Sequence, residues 1–556
     1  MHEALGTAAP AVDATAKRAD REGVLDRMRR GDFTLWKPQP TEITNRLGWL
    51  TIADRMGDAL PDIHRVVGEV RGAGYTQALL LGMGGSSLAP EVFRKTFGAA
   101  SGFLDLAVLD STDPGAVAAH ARSLDPARTL FIVSTKSGGT VETFSFFRFF
   151  YRWTVRALGQ AAAGVHFIAI TDPGSALADT AKRYLFRATF LADPNIGGRY
   201  SALSHFGLVP ATLIGADVPR LLQRAQAAER STDDAVRLGI ILGECAAQGR
   251  DKVTFILSPA IAAFGAWVEQ LLAESTGKEG KGIVPIADEP IGPPTVYGTD
   301  RVFVHIRLAG DTSSDTAVDA LRAAGHPVVR IDLTDPYDLG GQFVTWEIAT
   351  AVAGWRMGIN PFDQPNVESA KVLARKMVAA YESSGSLPPL EPTARGEGLT
   401  VFASSAPRAE GSAGDAVRTF LGQARAGDYV AIQAYVEPTA DTTAALETLR
   451  VTIRDRLRVA TTVGYGPRFL HSTGQLHKGD GGHGVFLQLV TTPPPAGDLP
   501  IPDTADADTS HITFGVLKTA QALGDRQALL DGGRRVLRVD PARVPEGIIK
   551  LRDLVP

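Results

Sequence analysis

Two stretches of this sequence place small hydroxyl side chains among glycines at the end of an apolar run. In "LLLGMGGSS", Gly82, Gly84 and Gly85 allow a sharp turn, and Ser86 and Ser87 follow where a helix would begin. In "TLFIVSTKSGGTVET", Thr135, Ser137 and Thr140 surround two glycines, with Lys136 beside them. Hydroxyls and free backbone N–H groups at a helix start favour an anion, phosphate above all. Neither loop is a dinucleotide fingerprint, because Ser87 stands where the third glycine would be, and neither carries the Gly-Lys-Ser/Thr of a P-loop. The competing explanation is a capped strand–turn–helix in the first loop and a capping box in the second. Glu142 is expected to brace the second loop without touching phosphate.

Two further stretches supply charge suited to moving protons. "NIGGRYSALSHFG" sets Arg199 behind Gly197 and Gly198, which brings a guanidinium close to a ligand. "WVEQLLAESTGKEGKG" puts Gln270 and Glu274 four residues apart, on one face of a helix. Glu274 follows the apolar "LLA", and a carboxylate set against apolar surface is less readily ionised and can serve as a base near neutral pH. Taken singly, a surface arginine and a solvated glutamate would explain both.

These residues need a frame. "QALLLG", "LDLAVLD", "TLFIVS" and "VHFIAITD" read as buried strands separated by helix-length segments, the pattern of a parallel sheet covered on both faces. Both hydroxyl loops then fall at carboxyl ends of strands, where open α/β sheets bind ligands. One long helical stretch, about 218–248, closes this unit. "KVTFILSP", "RVFVHIRL" and "PVVRIDLT" begin a second unit. The Pro/Ser/Gly-rich "SSGSLPPLEPTARGEG" reads as a linker, and "YVAIQAYV", "RVATTVGYG", "GVFLQLV" and "RRVLRVD" form a third unit. The proline-rich, acidic "TTPPPAGDLPIPDTADADTS" reads as an exposed loop. The organisation expected is α/β throughout: a helical lead-in or frayed tail over 1–45, α/β domains over 46–249 and 250–382, a linker over 383–398, and a third α/β domain over 399–556.

Composition narrows the partners. The 556 residues carry a net charge of −4, so no basic field calls for nucleic acid or an anionic membrane. The single cysteine, Cys245, suits a reducing cytoplasm. The sequence shows no membrane-spanning apolar run and no signal-peptide core at its start. No compact metal-ligand motif such as H-E-x-x-H occurs, and no metal or cofactor is expected.

In order, "GMGGSS", "STKSGGTVET", "GGRYSALSHFG", "QLLAESTGK" and "NPFDQPNVESAK" resemble phosphoglucose isomerases, enzymes built from two sugar-isomerase (SIS) domains. The resemblance spans about 33–381. "FTLWKPQPTEITNRLGWL" and "HSTGQLHKGDGG" look like the isomerase half of fused transaldolase–isomerase proteins; no transaldolase activity is expected. The resemblance implies interconversion of glucose 6-phosphate and fructose 6-phosphate through ring opening and a cis-enediol(ate). It implies phosphate-loop hydroxyls at Thr135, Ser137 and Thr140 with Lys136, and a first sugar-phosphate loop at Gly84, Gly85 and Ser86. It further implies Arg199, with Gly198, as stabiliser of the enediolate, Gln270 as a positioning residue and Glu274 as the base. Gln364 and Lys371 match a segment whose lysine reaches the sugar near its ring oxygen. A homodimer is implied too, since that family often completes its sites across subunits.

The ring-opening histidine is harder to place. The interval between Glu274 and Lys371 where it usually lies holds only His305, read as a sheet residue, and His326. "GQLHKGDGG" makes His477 the candidate, with Lys478 and His471 as local alternatives, and requires the third domain to fold back over the cleft between the first two or over a neighbouring subunit's cleft. Two other functions fit the phosphate loops: an isomerase for another phosphosugar such as mannose 6-phosphate, and a SIS-type regulator that binds sugar phosphate without chemistry. The presence of both Glu274 and Lys371, and the lack of a basic helix-turn-helix segment, weigh against the regulator.

Overall fold

The computed structural model describes residues 1–403, 411–492 and 497–556. The acidic, proline-rich loop therefore falls in part, at 493–496, outside the described residues. Three mainly parallel sheets make the frame. The first orders Asp105–Leu109, Gln77–Gly82, Thr129–Ser134, Phe167–Thr171 and Ala188–Leu191, all parallel. Its central strands are buried runs of Leu, Ile and Val, as a sheet covered on both faces demands.

The second sheet orders His2–Ala4, Val328–Leu333, Arg301–Leu308, Lys252–Leu257 and Val284–Ile286. Only His2–Ala4 runs antiparallel there, with Glu3 opposite Val329. The start of the chain is thus no frayed tail. The helices Ala9–Glu22 and Val24–Arg29 bury Val12 and Met28 in the core that runs through both sheets. The long helix expected over 218–248 is two helices, Val218–Arg230 and Asp233–Ala247. The chain breaks at Ser231 and Thr232, and Asp233 and Asp234 then occupy the second helix's first turn, where its dipole favours acid.

The third sheet orders Ala394–Gly396, Leu399–Ala403, Arg535–Pro541, Gly484–Val490, Tyr429–Tyr435 and Ala460–Tyr465. The expected linker is shorter than its composition suggested. The helix Val367–Ser384 takes its first residues and the strand Ala394–Gly396 some of its last, leaving 385–393 between them.

The third sheet has its own apolar core, yet its domain also packs on the other two. Phe514 and Leu517 of the helix Phe514–Asp531 join Phe146, Phe147 and Phe150 of the helix Val141–Leu158 against the first sheet. Tyr429, Leu476 and Phe486 pack with Ala273, Val284 and Ile286 of the second domain. Among the described residues no helix is long and apolar enough to cross a membrane.

Candidate functional site

Both hydroxyl loops open onto one cleft, of about 310 Å³, at the carboxyl ends of the first sheet's strands. The N-cap of the helix Gly85–Phe97 is Gly84, which has no side chain to cap it, and the Thr140 hydroxyl at the N-cap of the helix Val141–Leu158 does not close onto its own helix. The capping-box explanation of the second loop therefore fails. Thr140, at the N-terminus of this 18-residue helix, lines the cleft, so the positive end of the helix dipole lies beside it. Thr135 Oγ1 and Thr140 Oγ1 lie 2.8 Å apart, and Ser137 and Ser86 line the same wall. Ser87 does not: its hydroxyl turns back to the Gly84 carbonyl.

The glycines of the first loop serve a purpose other than approach to a ligand. A Cβ on Gly85 would lie 2.0 Å from the Gly198 carbonyl oxygen, and one on Gly84, at φ +56°, 2.9 Å from that of His471. The Arg199 turn and a segment of the third domain are packed directly onto the loop's backbone. Lys136 also departs from expectation. Its ammonium donates to both Asp172 oxygens, at 2.8 and 2.7 Å, and to the Asp193 carbonyl. Burial lowers the Lys136 pKa and raises that of Asp172, each partly offset by the other's charge. The positive charge that Lys136 would bring to an anion is shared with a carboxylate.

Glu274 lies at the opposite wall on the helix Phe264–Thr276. It is not set against apolar surface. Gln270 Nε2 donates to its Oε2 at 3.0 Å, and Arg199 Nη1 lies 3.3 Å from its Oε1. Arg199 is only 2% exposed and held on every side. Its Nε donates to Ser275 Oγ, Nη1 to Gln364 Oε1 at 3.0 Å, and Nη2 to the carbonyls of Pro361 and Asp363. Lys278 braces that turn by donating to Asp363. Burial, with Arg199 nearby, brings the Lys278 pKa down to about 8. A guanidinium fixed by five acceptors loses little freedom when an anion forms beside it, the property an electrostatic stabiliser needs.

Gln364 and Lys371 complete that wall; Lys371, on the helix Val367–Ser384, has no ion-pair partner among the described residues. The cleft thus gathers Gly84, Gly85, Ser86, Thr135, Lys136, Ser137, Thr140, Gly198, Arg199, Gln270, Glu274, Gln364 and Lys371.

His477 is the exception and requires a correction. It is 2% exposed, inside the third domain, with its ring against Tyr429, Phe469 and Phe486 and its Nδ1 3.3 Å from Gln433 Nε2. Burial, then the Lys478 and Arg534 charges, pushes its pKa well below the usual histidine value. It lies on the short helix Gly474–Gly479, whose inward face carries Leu476 and His477 into the core. Lys478 is spent on Asp525 in the same interior. The histidine at the cleft is His471, from the turn Arg468–His471. Its Nε2 lies 3.0 Å from Glu142 Oε1, and its carbonyl accepts from Gln270 Nε2 at 2.8 Å. Glu142 therefore braces a histidine as well as a loop. Burial pushes its pKa up, but His471, the Glu142 backbone N–H and the Lys371 charge together bring it below the usual carboxylate value. His305 sits in a central strand of the second sheet and lines a different cavity, beside Asp315 and Arg330.

Besides the preference for His471, sequence reasoning missed Asp172, Arg46, Ser275 and Lys278. Asp172 ends "FIAITD" at the same sheet edge as the two loops, which was a usable signal. Arg46, on the cleft rim, lies in a polar turn that offered none.

Residues 54–279 match the family described as phosphoglucose isomerase. A glucose-6-phosphate isomerase of Rubrobacter xylanophilus is 28% identical over 359 residues, 55% of this chain and 83% of that protein. One from Thermus thermophilus is 28% identical over 390 residues, covering 60% and 90% respectively. Among solved structures, a hypothetical protein of Thermus thermophilus superposes with a TM-score of 0.58 at 26% identity, over 68% of this chain and all of the other. A structure from Chlamydia trachomatis shares the fold, with a TM-score of 0.55 at 20% identity over 66% and 86% of the two chains. The likeness to phosphoglucose isomerases thus centres on residues 54–279, the stretch that carries both hydroxyl loops, Arg199, Gln270 and Glu274.

Proposed function

We propose that this cleft interconverts glucose 6-phosphate and fructose 6-phosphate. The observation that carries the reading is the pairing of Glu274 with the immobilised Arg199 guanidinium, 3.3 Å apart, in one cleft with the hydroxyl loops at two helix N-termini. The relatives named glucose-6-phosphate isomerase supply the choice of sugar.

The phosphate binds at Thr135, Ser137, Thr140 and Ser86, and that remote anchorage orients the sugar's other end toward Glu274. The substrate enters as a ring, so the ring oxygen must gain a proton and the anomeric hydroxyl must lose one. His471 exchanges those protons through Nδ1, since Glu142 engages its Nε2. Lys371 steadies the oxygen at the ring-opening end. Glu274 then takes the proton from C2, and the electron pair passes into a cis-enediolate whose charge Arg199 faces. Glu274 returns the proton to C1 on the same face, giving the ketose. One carboxylate suffices because removal and return occur on one side of a planar intermediate. Gln270 holds Glu274 in place for both steps.

The test is a coupled assay of the purified chain with glucose, fructose and mannose 6-phosphates, with solvent deuterium followed into C1 and C2. Turnover of the glucose–fructose pair with deuterium incorporation is expected. Preference for mannose 6-phosphate would assign the other isomerase, and binding without turnover would assign a regulator.

A further inference from the structure

We propose that the third domain completes the catalytic cleft in cis, setting His471 against Glu142 and Gln270 of its own chain. The proposal deepens the isomerase reading and rests on it only for the activity measurement below.

Three contacts from the third domain reach the machinery of the first two. His471 meets Glu142 through its ring and Gln270 through its carbonyl. Gln521, on the helix Phe514–Asp531, donates to the same Glu142 oxygen at 2.6 Å. Glu142 is therefore held by two residues 329 and 379 positions away in sequence, both from one added domain. A carboxylate accepting two such hydrogen bonds has a fixed orientation, and it passes that orientation to the imidazole.

The docking beneath these contacts is built into the same chain. After the strand Asp105–Leu109, three neighbouring residues reach the third domain: Asp110 pairs with Arg468 at 3.3 Å, Thr112 with Gln521 at 3.0 Å, and Asp113 with Lys518 at 2.8 Å. The Lys518–Asp113 pair is almost fully buried, at 1% and 7% side-chain exposure. Stranding one partner of such a pair leaves an uncompensated buried charge, so the domain does not lift off without a large penalty.

Connectivity argues the same way. The helix Val367–Ser384, which carries Lys371 at the cleft, packs along Phe514–Asp531. A Cβ on Gly524 would lie 2.7 Å from the Ala374 backbone nitrogen, so the two helices touch backbone to backbone. Only 385–393 then lead into the third sheet. At about 3.3–3.6 Å per residue that segment spans on the order of 30 Å at full stretch. The element leaving the active site is thus already docked on the domain that returns to it, and exchange of that domain with a second copy would have to break this packing.

Two measurements decide the matter. In the first, wild-type chain labelled with ¹³C at histidine Cε1 is refolded together with excess unlabelled Glu142→Gln chain. Completion in cis leaves the labelled His471 resonance where it stands in pure wild type. A second resonance, at the position given by labelled Glu142→Gln protein, would overturn the proposal. This arm needs no activity. In the second, His471→Ala and Glu274→Gln chains are co-expressed with different tags and purified together. No activity above the sum of the two variants is expected. Recovery to about a quarter of wild type, as random pairing of chains with shared sites would give, would also overturn it. If either single variant proves fully active, the isomerase roles fail while the resonance measurement still decides how the cleft is assembled.

Discussion

The two walls of the cleft are made in opposite ways. The phosphate side is local: Gly84 to Thr140 lie within one sheet, and their hydroxyls and N–H groups come from loops at two strand ends. Its polar groups are partly unspent. The chemical side is assembled over distance, and its arginine, glutamate and histidine are each held by a polar partner. Arg199 is held by residues 275 and 361–364, and His471 by Glu142. On the isomerase reading proposed above, the contrast follows from what each wall must do. A dianion brings enough charge to organise loose hydroxyls around itself. A proton carrier and a developing enediolate need donors already fixed, because reorganising them during the reaction adds to the barrier.

Four substitutions sharpen that contrast or break it. The largest effect belongs to Glu274→Gln, which removes the base and keeps the shape. Turnover should fall by at least the roughly 10²–10⁴-fold of a general base, while calorimetry shows sugar-phosphate binding retained. Near-normal turnover would show that Glu274 is not the base. His471→Ala comes next. On the cyclic sugar, kcat should drop about 10²-fold, whereas solvent exchange on a phosphosugar analogue unable to cyclise should change little. Equal losses on both would place His471 outside ring opening.

Thr140→Val tests the other wall. Losing one hydrogen bond to a charged group is worth about 1.5–3 kcal/mol, or roughly 10–100-fold in affinity. The loss should appear in KM, with kcat nearly unchanged; a pure kcat effect would erase the distinction between the walls. The smallest effect on activity is expected from His477→Gln, because His477 lies in the third domain's interior. Its consequence is for stability. The folded protein keeps His477 neutral, with a pKa well below its ordinary value, whereas the unfolded chain takes up a proton near pH 6.5. The unfolded state therefore gains on acidification, and wild-type Tm should fall below about pH 6.5. The variant should lose part of that slope while turnover persists. A hundredfold loss of turnover would return His477 to the catalytic mechanism.

The strands "QALLLG", "TLFIVS", "RVFVHIRL" and "GVFLQLV" coincide with Gln77–Gly82, Thr129–Ser134, Arg301–Leu308 and Gly484–Val490. They were legible because a strand buried on both faces must be apolar throughout. Ala188–Leu191, Val284–Ile286 and Leu399–Ala403 were not recognised. The first two are only four and three residues long, and neighbouring strands, more than their own pattern, define them.

By itself, the sequence determined the α/β class, the two hydroxyl loops and the Gln270–Glu274 spacing, all consequences of periodicity and turn chemistry within a few residues. Only the tertiary structure decided between His471 and His477. The two lie six residues apart in one polar, glycine-rich stretch, and nothing local separates them. Their fates depend on what arrives from elsewhere: Glu142 at 3.0 Å for one, and the rings of Tyr429, Phe469 and Phe486 for the other. The same holds for Lys136, whose ammonium reads as a phosphate contact until Asp172, 36 residues on, shares its charge. An ionisable group's role is set by the field and the solvent access around it, and both come from residues distant in the chain.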